Sequence, residues 1–349
     1  MLTNWCKPPD ASLWSAPESP GTLGARVDVL TERLESTERY EVALIGSGPG
    51  ADRVRAALYA LQDANPELAL LDLGNLRRAE ADFAVPLLQE LFDARILPIW
   101  IGAAASLTSA IVNAYRILDR KLQLGSLHPS AGYGETAAIT NATYAVLGYQ
   151  THLTPPAHLV GLRENGVQLL RLGEIRERVA HTEPLLRNLD LLNIHAGSLP
   201  EYALPAQLQP TSVGLSVAEV CQIAYYAGAS DRLCGLTLGG WHPTQDTDGQ
   251  SARALATIIW YFLDGVAHRQ GDFPISKTRM TEFVVHAPDT TGELTFWKSE
   301  RSGRWWVEVQ DEAADPPQKH LLACNHTDYT ELLGGRITPY LLQLLGRFA

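Results

Sequence analysis

Residues 41–75 read EVALIGSGPGADRVRAALYALQDANPELALLDLGN. The apolar residues of EVALIGSG (41–48) are consecutive rather than alternating, which predicts a strand covered on both faces. ADRVRAALYALQDA (51–64) spaces its apolar residues three and four apart and predicts a helix. LALLDLGN (68–75) predicts the next strand. A strand, a helix and a strand in this order form a crossover, so the two strands are expected to lie parallel in one sheet.

The alternation continues in both composition and spacing. ADFAVPLLQELFDA (81–94) and SLTSAIVNAYRILD (106–119) predict helices on either side of the strand ILPIWIGAA (96–104). LQLGSLH (122–128), AVLGYQT (145–151), VQLLRLG (167–173), LDLLNIHAG (189–197) and LCGLTLGG (233–240) predict further strands. Helices are expected at 174–188, 216–228 and 251–268. The fold class is therefore α/β: a three-layer α/β/α sandwich around a mainly parallel sheet.

Three segments follow from this pattern. Residues 1–40, rich in Pro, Ser and Trp, are an N-terminal arm with one short helical stretch near 25–36; residues 41–272 are the α/β core. In residues 273–349 the stretches EFVVHAP, ELTFWKS and RWWVEVQ predict an antiparallel extension, closed by a helix after HTDYTELLGG. Trp305 and Trp306 with Phe296 and Trp297 are expected to pair across strands; an exposed aromatic patch for a protein partner is the rival expectation.

Composition narrows the function. The chain is 46% hydrophobic and 19% charged, the balance of an ordinary globular protein with a large core. No apolar run reaches membrane-spanning length and the start lacks a secretory pattern, so no membrane association is expected and the cytoplasm is the expected location. The net charge of −11 repels phosphate backbones, which excludes nucleic acid as an expected partner. Cys6, Cys221, Cys234 and Cys324 form no CxxC pair and read as reduced residues of the interior.

GSGPG (46–50) follows a strand and opens a helix, the context of a dinucleotide-binding turn. Its spacing is one residue short for the third glycine, and Asp72 is the only acid near the required distance. A plain tight connection is the better account. The strand ends GAAASLT (102–108), SLHPS (126–130), NIHAG (193–197) and GGWHP (239–243) matter more. In a parallel sheet they converge on one crevice, where ligands bind. They would bring His128, His195 and His242 there without a carboxylate. Asp246 and Asp248 in QDTDGQ are expected to cap the following helix rather than hold calcium.

The order of several segments carries a resemblance. DLGN (72–75), LGYQTHLTPPAHL (147–159), RLGEIRERVAHTEPLLRNLDLL (171–192), GLSVAEVCQIAYYAGASD (214–231), HPTQDTDGQSARALATIIWYFLDG (242–265) and RWWVEV (304–309) resemble the ureohydrolases. These are the arginase, agmatinase and formiminoglutamase superfamily, and the chain is most similar to a divergent arginase-family branch of Bacteroidetes type. GPGADRVRAALY (48–59) resembles the helix opening of that family. The resemblance implies an arginase-like sandwich and a homo-oligomer. It also implies hydrolysis of a guanidinium or amidine C–N bond by hydroxide bridging two manganese ions.

The family's motifs are Gly-Gly-x-His, Asp-x-His-x-Asp, Asp-x-Asp and a Glu-x-Asn-Pro segment whose glutamate holds the substrate cation. Aligned on the flanking matches, the first histidine falls on Ala105. The second motif becomes Ser126, His128 and Ser130; the third becomes His195 and Gly197; the substrate glutamate falls on Gly240, beside His242 and Pro243. Two Mn²⁺ ions about 3.5 Å apart repel by several kcal/mol even at the dielectric of water, and no anionic oxygen remains to offset this. No paired manganese, and no cofactor at all, is therefore expected. His128 reads as a vestigial ligand; the rival is a single Zn²⁺ or Ni²⁺ held by His128, His195 and His242. A Ser126–His128 or Ser130–His128 nucleophile lacks an orienting acid. The function expected is a pseudoenzyme acting as a binding or assembly module. A hydrolase of guanidino or formimino bonds with an altered ligand set, and a small-metabolite sensor, are the alternatives.

Overall fold

The apolar runs become the strands of one sheet. The computed structural model describes residues 2–13, 19–30, 39–48, 50–78, 80–103, 114, 122–131, 142–273, 275–287, 292–311 and 316–346. Two short strands of the arm come first, β1 (Cys6–Lys7) and β2 (Asp28–Val29). They are followed by β3 (Val42–Gly46), α1 (Ala51–Tyr59), β4 (Leu70–Leu76), α2 (Ala81–Asp93) and β5 (Leu97–Ala103). Then come β6 (Leu122–Leu127), β7 (Ala142–Tyr149), α3 (Pro156–Glu164), β8 (Gln168–Arg171), α4 (Leu172–Glu177) and α5 (Thr182–Arg187). β9 (Leu191–His195), α6 (Val217–Gly228), β10 (Leu236–Gly239) and α7 (Gln250–Ala267) complete the core. The helix expected at 106–119 falls almost wholly outside the described residues.

The sheet runs β1-β4-β3-β5-β10-β9-β6-β7-β8, with β2 added beside β4. Every pair is parallel except β1 with β4. Alternation within a strand divides the core between the two faces. Val42 and Leu44 of β3 pack with Val54 and Leu58 of α1, Ile223 of α6 and Ile259 of α7. Ala43 and Ile45 turn to the other face, with Leu87 and Leu91 of α2 and Leu159 of α3. Helices on both faces of a mainly parallel sheet are the three layers that the sequence predicts.

Local detail departs from the expectations in places. The arm forms two strands on the sheet edge; of the helical stretch expected near 25–36, residues 31–36 lie outside the described residues, and the part described shows the end of a short 3₁₀ turn (Leu23–Ala25) and β2. The helix expected over 174–188 is two helices. Arg178 between them is extended (φ −158°), and Pro184, which donates no backbone hydrogen bond, sits in the first turn of α5. The helix expected after HTDYTELLGG is present at Pro339–Leu345, and HTDYTELL is itself helical too, as α8 (His326–Leu333), with Asp328 Oδ2 accepting the Asn325 N–H (2.7 Å) at its start. Asp246 does cap: its two carboxylate oxygens accept from Ser251 N (2.9 Å) and Ala252 N (2.8 Å) at the start of α7.

The extension is an antiparallel meander of β11 (Met280–Ala287), β12 (Gly292–Ser299), β13 (Trp305–Asp311) and β14 (Gln318–Cys324), followed by α8 and α9 (Pro339–Leu345). Phe296, Val307, Leu332, Leu341 and Leu344 form its own small core. Trp297 stands opposite Trp306, and all four aromatic residues Phe296, Trp297, Trp305 and Trp306 are buried, so the exposed-patch expectation fails. Arg187, at the end of α5, joins the extension to the core. Its guanidinium lies 4.7 Å from the Trp306 ring and donates to Trp305 O (3.1 Å) and Cys324 O (2.9 Å).

Candidate functional site

β5, β10, β9 and β6 are adjacent and parallel, so their C-terminal ends meet on one rim. Gly239 pairs with His195, and Ser126 with Asn193. Ser126 and His195 therefore lie at the ends of neighbouring strands, and His128 and Gly240 follow directly after β6 and β10 on the same rim. Ala105 lies outside the described residues.

The two histidines are in contact. Their ring centroids are 4.3 Å apart with the planes tilted by 50°. Only 1% of His128 and 5% of His195 is exposed. Burial pushes the His128 imidazole down to about 4. Burial, then the neighbouring His128, pushes His195 down to about 3. Both rings are neutral at pH 7, because a charged imidazole in this setting would be desolvated without a counter-ion. His195 Nδ1 accepts the Gly197 N–H (3.1 Å), which places the His195 proton on Nε2. His128 Nδ1 lies 2.8 Å from Ser130 O and 3.0 Å from Ser130 N.

Gly240 explains where the His195 ring sits. Its φ is +74°, in the left-handed region, and a Cβ built there would lie 2.2 Å from His195 Nε2. The imidazole thus occupies the space in which any side chain at position 240 would begin. Gly197 is nearly as tight, with a built Cβ 3.1 Å from His195 Nδ1 and 3.3 Å from Gln209 O.

The hydroxyls serve structure. Ser126 Oγ accepts from Asn193 Nδ2 (3.1 Å), whose Oδ1 accepts from Thr237 Oγ1 (2.8 Å), a buried chain across β6, β9 and β10. Ser130 Oγ donates to Leu153 O. His242 Nδ1 lies 2.9 Å from Thr244 Oγ1. Among the described residues, no group of three or more His, Cys, Asp and Glu side chains is placed to hold a metal ion.

The GSGPG step is a packing element. A Cβ on Gly50 would lie 2.3 Å from Pro243. Asp72, the acid a ribose would need, is fully buried and accepts instead from Arg55 Nε (2.6 Å), Tyr59 Oη (2.6 Å) and Gly74 N (2.7 Å). Arg55 also donates to Asn75 Oδ1 and Gly74 O. This buried cluster beneath the rim is not evident from spacing, although DLGN and the arginine of ADRVRAALY supply its parts.

No protein-family model matches the chain, and no curated protein matches it. Solved structures do. Formimidoylglutamase from Bacillus subtilis superimposes with a TM-score of 0.60 at 16% identity, over 70% of this chain and 91% of that one. The Mn²⁺-containing formiminoglutamase of Trypanosoma cruzi gives 0.57 at 16%, over 68% and 96%. Proclavaminate amidino hydrolase from Streptomyces clavuligerus gives 0.55 at 19%, over 66% and 92%. The chain has the ureohydrolase fold. Nearly the whole of each ureohydrolase structure is matched, while about a third of this chain lies beyond the match. Identities this low establish the ureohydrolase architecture and leave its chemistry to the residues on the rim.

Proposed function

We propose that this protein does not carry out the dimanganese ureohydrolase reaction and acts as a non-catalytic binding or assembly module. The observation that carries this is the contact between His195 and Gly240. A side chain at 240 and the imidazole at 195 as it sits would occupy the same space, so neutral rings stand where a substrate-binding carboxylate would need to begin.

Manganese, implied by the T. cruzi neighbour, is a poor fit to the donors present. Hard divalent ions need several anionic or carbonyl oxygens, whereas Ser126, His128, Ser130, His195 and Gly197 offer no carboxylate. His195 is further compromised because its free lone pair, on Nδ1, is taken by the Gly197 N–H. Without carboxylates a metal-bound water would lack the neutralised pair of ions that generates hydroxide at neutral pH.

The test is a turnover assay with Mn²⁺ present, following urea, ammonia and formamide release from arginine, agmatine and formiminoglutamate. The expected result is no release above a heat-killed control. Sustained turnover overturns the proposal and supports a hydrolase with an altered ligand set. Metal analysis of untagged protein separates that case from a single Zn²⁺ or Ni²⁺ bound without turnover.

A further inference from the structure

At the opposite rim of the sheet, where β3, β5, β9 and β10 begin, lies a cavity of about 880 Å³. That is within the usual size of a small-molecule site. Phe92, Ile96, Leu97, Leu233, Val266 and Phe273 supply apolar lining. Most of its charges are already engaged. Arg232 holds Asp190 through two hydrogen bonds (3.0 and 3.1 Å). Arg269 donates to Gly228 O and Leu233 O, and Asp231 accepts from Gly271 N and Asp272 N.

Arg95 is different. It lines the cavity, is exposed, and its guanidinium makes no hydrogen bond or ion pair among the described residues. It also has φ +58°, the one positive φ outside glycine among those residues. The cause is local: Arg95 follows the end of α2, and Ile96 N bonds back to Leu91 O (2.9 Å) across it. This closing turn puts a left-handed residue after the helix, a place that glycine fills without cost. The field at the helix end favours a cation anywhere in the last turn and does not require one at the left-handed position. Glu41 and Asp93 line the same cavity with exposed carboxylates that make no hydrogen bond among the described residues, Glu41 also lying within electrostatic reach of Arg269.

We infer that this cavity binds an α-amino acid with an apolar side chain. Its carboxylate pairs with Arg95, its ammonium faces the carboxylates of Asp93 and Glu41, and its side chain lies on the apolar lining. A simple anion is disfavoured because the lining carboxylates outnumber the arginines. A ligand bearing both charges meets each exposed group with its opposite. The inference is independent of the proposal for the histidine rim.

Thermal unfolding tests it, with leucine, methionine, phenylalanine and tryptophan added singly at about 10 mM. At least one should raise the melting temperature by about 2 °C, as for a ligand at roughly ten times its Kd. The amide of that amino acid, which lacks the carboxylate, should have no effect. Arg95→Gly and Arg95→Asn both tolerate the backbone and should fold, Arg95→Gly melting no lower than the parent, and both should lose the ligand-dependent rise. No rise with any of the four, an equal rise with the amide, or a rise that survives in both variants overturns the inference.

Discussion

His195 Nε2 stands 2.2 Å from the point where a Cβ on Gly240 would lie. The two positions are therefore coupled: the ring is tolerated at 195 because 240 has no side chain. Gly240→Ala should destabilise the protein by about 2–4 kcal/mol, combining overpacking with a strained left-handed backbone. His195→Ala in the same chain should recover part of that loss. Urea denaturation of both single variants and the double variant measures the coupling; strict additivity would mean that the ring does not press on this glycine.

Acid should weaken the fold through the same pair. The folded values of about 4 for His128 and about 3 for His195 lie below the ordinary 6.5. Below pH 6.5 the unfolded chain takes up protons that the folded chain refuses. The stability from keeping these rings neutral is thus complete above pH 6.5 and is lost as pH falls toward 4 and 3. The loss by pH 4 is about 3 kcal/mol per ring. Denaturation midpoints measured from pH 7 down to pH 4 should fall, and His195→Asn should make the decline shallower.

Breaking the buried ion pair beneath the rim should be costly. Arg55 and Asp72 are both fully buried and 2.6 Å apart. Asp72→Asn leaves the buried Arg55 with only the partly exposed Asp52 (2.9 Å) as a carboxylate partner, so it should cost about 3 kcal/mol. Tyr59→Phe, which removes one hydrogen bond to the same carboxylate, should cost about 1–2 kcal/mol. Equal and small losses in both would show that the cluster is solvated.

The cysteines should be inert in the native state. Burial pushes Cys6, Cys221 and Cys234 up to about 12 and Cys324 well above its ordinary value. Thiolates react and thiols do not. Iodoacetamide at pH 8 should therefore label none of the four until denaturant is added, as read by mass spectrometry.

Much of this was legible in sequence, for identifiable reasons. Strands buried on both faces announce themselves as unbroken apolar runs, so β3, β4, β5, β9 and β10 were readable, and with them the rim that collects His128 and His195. Edge strands carry no such signal. β1 has two residues and follows the register of β4, and β14 (QKHLLAC) has its apolar residues bunched at one end. The rim residues could be named from their places after strands, but the seat of the His195 ring could not. It depends on a glycine 45 residues away, with a backbone angle that spacing does not encode. Arg95 was missed for a similar reason, since a left-handed arginine looks like any other arginine in a one-dimensional pattern.

The clasp made by Arg187 and Asn188 has a consequence for the whole chain. Asn188 Oδ1 accepts from Ala323 N, while Arg187 holds two carbonyls of β13 and β14. Pulling the last quarter of the chain away would break these bonds, leave Arg187 with its ion pair to Glu183 (2.8 Å), and uncover the Trp306 ring that now packs on the guanidinium. Heating should therefore give one calorimetric transition rather than two, and a protein cut after residue 272 should aggregate instead of yielding a tractable fragment.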